Sequence, residues 1–242
     1  MPRVKRIPEG FDLASALDGI AIDRRSAIGP QIYSELRKRI VDGRLPAGTP
    51  VHESDIAALC FVSRTPLRAA LQQLQGEGLI VTKAQVGSVV AARDRARFLE
   101  ALFLRTAIER EIARRLAEQG LNEETLAPIM ERQEKAALAD DYATFFDADE
   151  EFHALLAEMA EVPNAWQLVQ SVKVHVDRER FILMSSIRGR SERAWRDHLK
   201  ILDAIRAGDA ETAADEMAKH VNSVLNTPFE TEPREQPKLT LI

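Results

Sequence analysis

The 242-residue sequence predicts a mainly α protein in two parts: three helices with a β-hairpin, then an all-α antiparallel helical bundle. Three observations lead there. Apolar residues recur at helical spacing through most of the chain. One pair of β-prone runs, Leu79-Ile80-Val81-Thr82 and Ser88-Val89-Val90, interrupts that period. The length exceeds one typical domain, and a 45% hydrophobic content is enough for two cores.

Residues 1–30 mix prolines, glycines and both charges without a sustained apolar period, which predicts a flexible tail. From Gln31 a first helix carries Ile32, Leu36 and Ile40 and stops at Gly43. After the turn Leu45-Pro46-Ala47-Gly48, a short second helix runs from Glu53 to Leu59. Ser63 reads as the N-cap of a third, with Pro66 in its tolerant first turn and Leu67, Leu71 and Leu74 as its apolar stripe. Gly76 and Gly78 end it, and the hairpin follows, joined by Lys83 to Gly87. Three helices and a hairpin in this order make a winged helix-turn-helix over 31–92. Beyond Arg93 the period is helical almost throughout, with helices predicted around 94–119, 122–139, 141–159, 163–185, 190–207 and 209–225. Gly120, Pro163, Gly189 and Gly208 punctuate this bundle, which spans 93–226 ahead of a flexible C-terminal tail at 227–242.

The net charge of −5 is unusual for a nucleic-acid binder, but attraction to phosphate depends on local charge. Lys and Arg outnumber Asp and Glu by 5 to 4 in residues 1–30 and by 7 to 5 in 31–92, whereas 93–242 carries 21 against 29. DNA contact therefore falls to the first hundred residues. The lone Cys60 excludes an internal disulfide, no apolar leader is apparent, and no run is long enough to span a membrane. A cytoplasmic protein without membrane association is expected.

In the third helix Arg64, Thr65, Arg68 and Gln72 lie opposite the leucine stripe. With the stripe packed, that side is free to enter a major groove, where arginine donates two hydrogen bonds to guanine. On an isolated helix these would be ordinary solvated residues; the position after a short helix and before a hairpin favours DNA.

In the bundle, polar residues fall on apolar faces. Asp149 and His153 sit four apart within the stripe Tyr142, Phe145, Phe146, Phe152 and Leu156. His198 lies among Trp195, Leu199, Leu202 and Ile205, and His220 among Met217, Val221 and Val224. One such histidine is ordinarily a satisfied core residue. Together, one aspartate and three histidines make a coordination set for a divalent metal, with zinc favoured and nickel or manganese also suited. Arg105 lies on the stripe of Phe98, Leu102, Ile108 and Ile112, either as a clamp for a carboxylate ligand or in an internal salt bridge. His175 stays open between core packing and ligand lining.

The segment Ile32 to Ala92, above all Val62-Ser63-Arg64-Thr65-Pro66-Leu67-Arg68, resembles the DNA-binding domain of GntR-type bacterial regulators. The resemblance implies that Arg64, Thr65 and Arg68 read an operator and that the hairpin around Gln85 and Gly87 reaches the minor groove or backbone. Ser54-Asp55 and Ala70 depart from the common pattern of that family. The second half, through Arg105-x-x-x-Glu109, Asp149-x-x-x-His153, the Pro163-Asn164 turn, Asp197-His198 and His220, resembles the FCD effector domain of the FadR subgroup. This implies a metal at Asp149, His153, His198 and His220, an organic-acid effector near Arg105 and Asn164, and a homodimer on a pseudo-palindromic double-stranded operator. The expected function is a ligand-responsive transcription regulator. A metal-dependent hydrolase with an attached DNA-binding domain is the alternative, disfavoured because no dedicated general base is identifiable.

Overall fold

A computed structural model describes residues 10–186 and 189–226. The expected C-terminal tail lies outside the described residues. Among them the order is α1 (Leu13–Leu17), α2 (Ile28–Val41), α3 (Glu53–Leu59), α4 (Arg64–Gly76), β1 (Ile80–Lys83) and β2 (Gly87–Val90), followed by α5 (Arg95–Gln119), α6 (Glu123–Leu138), α7 (Tyr142–Met159), α8 (Pro163–Val172), α9 (Val174–Ser186), α10 (Arg190–Arg206) and α11 (Ala210–Asn222). A single 3-10 turn, Ser223–Asn226, follows.

Helices α2 to α4 and the hairpin form the winged unit. Leu67, Leu71 and Leu74 of α4 are buried against Ile32, Leu36 and Ile40 of α2, because each triad repeats at helical spacing on one face. The hairpin is antiparallel and pairs Ile80 with Val90 and Lys83 with Gly87. The chain at 48–51 adds to its free edge: Val51 donates to the Ser88 carbonyl and Val90 to that of Thr49.

Of the segment 1–30 expected as a flexible tail, residues 1–9 lie outside the described residues, and the remainder contains α1. Asp12 caps α1 by accepting from the backbone of Ala14 and Ser15, and Ala16 and Leu17 are buried in the core of the winged unit. The reason lies in Arg39, a guanidinium only 2% exposed on α2. A buried cation must be paired, and the segment supplies the carbonyls of Ala16 and Asp18 at 3.1 and 2.8 Å. Helix α2 also starts three residues before Gln31.

The second half is an all-α bundle whose core joins Phe98, Leu102 and Leu116 of α5, Phe152 and Leu156 of α7, Ile201 and Leu202 of α10, and Met217 and Val221 of α11. The long helix expected over 163–185 is two, α8 and α9, separated at Lys173. No helix among the described residues is long and apolar enough to cross a membrane.

Leu17→Ala should lower stability by about 2–5 kcal/mol, as for a buried leucine, measured by urea denaturation. A change within about 0.5 kcal/mol, typical of an exposed site, would restore the tail reading.

Candidate metal centre and DNA-reading face

Asp149 and His153 stand one turn apart on α7, His198 on α10 and His220 on α11, and all four are buried. Each offers a ligand atom within 4.8 Å of all the others. His198 Nε2 lies 3.2 Å from His220 Nε2 and 3.5 Å from Asp149 Oδ1, and His153 Nε2 lies 3.9 Å from Asp149 Oδ2. Ligand atoms of a tetrahedral zinc site are about 3.3 Å apart, given metal–ligand bonds of about 2.0–2.1 Å. Three imidazoles and a carboxylate at these separations fit a divalent metal ion.

The groups behind the ligands orient them. His153 Nδ1 approaches Glu109 Oε2 at 2.5 Å, and Glu109 Oε1 accepts from Arg105 Nε at 2.5 Å. Gln133 donates its amide to the carbonyl of Ala148 at 3.1 Å, so its oxygen faces His198 Nδ1 at 2.7 Å. The His198 ring thereby carries its proton on Nδ1 and turns its Nε2 lone pair to the centre, the arrangement that outer carboxylates and carbonyls impose on metal-binding histidines. Phe152 stacks on His198 at 4.2 Å and Trp166 on His153 at 5.8 Å.

Charge is arranged for the same end. Burial alone would raise Asp149, but the Arg180 guanidinium, 2.6 Å from Oδ2, and then the imidazoles hold it well below the usual carboxylate range. Its Oδ1 has no hydrogen-bond partner. Burial, reinforced by His153 and the nearby guanidiniums, pushes His198 down to about 3, and His220 also falls well below its ordinary value. Against burial, Arg105 and His153 hold Glu109 down to about 2. The set therefore includes one anion, Asp149, and two neutral imidazoles, His198 and His220, in the ligand state a metal requires.

Arg105 is fully buried, in the internal ion pair with Glu109, and also donates to His153 Nε2 at 3.1 Å. Asn164 departs from expectation: it is exposed in the first turn of α8, because that helix turns Trp166 and Val169 inward. His175 neither packs into the bundle core nor lines the centre; its Nε2 donates to the carbonyl of Glu77 at 2.9 Å. Sequence reasoning named Glu109 only within the Arg105-x-x-x-Glu109 resemblance and without a role, and it missed Gln133 and Arg180. A Glu four residues after Arg105 was the one available signal.

On α4, Arg64, Thr65, Arg68 and Gln72 are exposed together, as the stripe requires. Arg68 donates twice to Glu53 of α3, at 2.7 and 3.1 Å. At the wing, Gln85 and Gly87 are exposed with positive φ of 64° and 89°, so the hairpin tip turns sharply outward.

A winged helix-turn-helix with an outward, arginine-bearing helix, joined to a helical domain enclosing a metal-type donor set, defines a DNA-binding regulator. Comparison with known proteins identifies the family. Residues 29–90 match the model for bacterial regulatory proteins of the gntR family, and residues 100–223 match the FCD domain. The chain belongs to the GntR family. It is 32% identical to the transcriptional repressor RspR of Escherichia coli K12, with 81% of this chain and 87% of that protein covered. It is 31% identical to the probable D-xylose utilization operon repressor of Paenarthrobacter nicotinovorans, covering 83% and 88%. The gluconate operon repressor of Bacillus subtilis is 29% identical, covering 74% and 73%. These relatives are transcription regulators, not enzymes. Among solved structures, McbR/YncC of E. coli shares the fold with a TM-score of 0.69 at 18% identity, covering 82% and 95%.

Gln133→Leu removes the acceptor behind His198 and should weaken zinc binding about 10–100-fold in calorimetry while the fold persists. Unchanged affinity would mean that the amide does not orient a ligand.

Proposed function

We propose that the protein regulates transcription from the cytoplasm as a homodimer, and that a small organic acid bound at a divalent metal in the helical domain sets its affinity for a pseudo-palindromic operator. The metal is held by Asp149, His153, His198 and His220, and zinc suits three nitrogens and one oxygen best. The observation that carries the reading is the buried donor set, with Asp149 Oδ1 unpartnered and two guanidiniums, Arg105 and Arg180, beside it. A metal and a guanidinium together select a carboxylate. The gluconate operon repressor takes its name from such an acid.

On the DNA side, Arg64, Thr65, Arg68 and Gln72 enter the major groove and the wing at Gln85 and Gly87 lies along the minor groove or backbone. Leu99, Phe103 and Leu104 give α5 an exposed apolar face, with Phe103 72% exposed. A second copy on that face would produce the two-fold pair that a pseudo-palindrome needs.

On an operator selected from random DNA, zinc with the right organic acid should change wild-type affinity by about 5–150-fold, and His153→Ala should abolish the change. If no acid in a broad panel alters wild-type affinity, the switch is wrong even where DNA binding stands. Arg68→Ala should cost about 1–3 kcal/mol of specific binding, and a uniform loss across sequences would place that side chain on phosphate. Phe103→Glu should yield monomers in light scattering; an unaltered dimer would remove this face from the interface.

A further inference from the structure

The first two turns of α9, Val174–Arg180, are buried around their whole circumference. Every residue from Val174 to Arg180 is shielded, although Asp177, Arg178, Glu179 and Arg180 are ionisable. A helix buried all round is ordinarily apolar, so each of these groups needs a partner. The partners divide between the two domains.

Toward the metal centre, Arg180 donates to Asp149 Oδ2 at 2.6 Å. Lys173, immediately before α9, bridges Asp177 and Glu150 at 2.6 and 2.8 Å. Glu150 is the chain neighbour of the ligand aspartate. Toward the winged unit, Asp177 pairs with Arg37 of α2 at 3.4 Å, and His175 donates to the carbonyl of Glu77, the C-cap of α4. Glu77 in turn accepts from Tyr33 of α2. Arg178 donates to the carbonyl of Ala91 at 3.0 Å, Glu179 pairs with Arg93, and Val174 belongs to the apolar core of the winged unit.

We propose that α9 transmits the state of the metal centre to the recognition helix α4, with Arg180 as its contact at the centre and Arg37 and His175 as positioning residues at the other end. This rests on the metal-centre reading above. The physical coupling is specific: Asp149 shares its charge between Arg180 through Oδ2 and the ligand cluster through Oδ1. A cation on the cluster draws that charge away, so the hold of Arg180 on Asp149 differs between the two states. Because Val174–Arg180 of α9 are packed on all sides, a displacement of this segment is passed on rather than absorbed. The rival route is α5, whose Arg105 touches His153 and whose Arg97 reaches the Glu77 carbonyl at 3.4 Å. Arg97 is half-exposed, whereas α9 engages through buried groups at both ends.

The experiment uses the full chain with zinc alone as the probe. Hydrogen exchange is followed at amides 73–78, and affinity is measured on the selected operator. In wild type, zinc should alter that exchange and shift operator Kd about tenfold. The double variant Arg37→Met, His175→Leu should bind zinc with unchanged affinity by calorimetry, lose the exchange response and shift Kd less than about twofold. His175→Gln, which keeps a donor toward Glu77, should retain both responses. The relay is overturned if the double variant responds as wild type does, if Arg97→Met abolishes the responses instead, or if zinc leaves wild-type exchange at 73–78 unaltered. Should zinc alter that exchange without altering operator affinity, the relay stands, and the regulatory switch of the preceding subsection fails only if no organic acid added with zinc alters that affinity either.

Discussion

A carboxylate with no solvent exposure, Asp149, sits in the middle of a helical core, and much of the second domain is arranged to make it tolerable. Leaving such a charge unpaired costs several kcal/mol. Arg180 answers it from α9, and imidazoles answer it from α7, α10 and α11. Each answer creates a further demand. His153 turns to Glu109, which needs Arg105, and His198 turns to Gln133, which is fixed by the carbonyl of Ala148. One buried charge thus ties α5, α6, α7, α9, α10 and α11 into a single polar network inside an otherwise apolar bundle.

The DNA-reading face obeys the opposite logic. Its side chains are exposed, and their order comes from the leucine stripe beneath them and from contacts that are cheap to break. The Arg68–Glu53 pair is of this kind, with side chains 58% and 36% exposed. Surface pairs are worth about 0–1 kcal/mol, so on the proposed reading a guanine edge or a phosphate would displace Glu53 at little cost. Until then Glu53 keeps Arg68 extended from α4 toward α3 rather than free to sample many rotamers.

How far all this was legible depends on whether a residue's partner lies near it in sequence. The leucine stripe, the wing and the four ligands declare themselves by local period, since a polar residue on an apolar face needs no knowledge of the partner. Glu109, Gln133 and Arg180 act across the fold, on residues 44, 65 and 31 positions away in the chain. Helix α9 was legible only as the second half of one helix over 163–185, for a related reason: Val174–Arg180, buried between the two domains, have no solvent face and so no amphipathic pattern. The packing of α1 was not legible because its place is set by Arg39, whose burial is invisible until α1 packs over it.

A network of this kind is a poor device for stability alone. Well-packed apolar side chains of similar volume would match or exceed it by about 1–4 kcal/mol. What the polar version would add, on the proposed reading, is sensitivity: a cation held by Asp149, His153, His198 and His220 would give Asp149 a further partner and alter the balance on Arg180, which an apolar core could not register. A metal that binds only the folded chain also stabilises it in proportion to occupancy. The same ion would thus tighten the bundle and alter the hold on α9, whose other end lies against the C-cap of the recognition helix. The domain boundary falls where that matters, because the charged side chains of α9 are divided between the metal centre and the DNA-reading unit rather than belonging to either one.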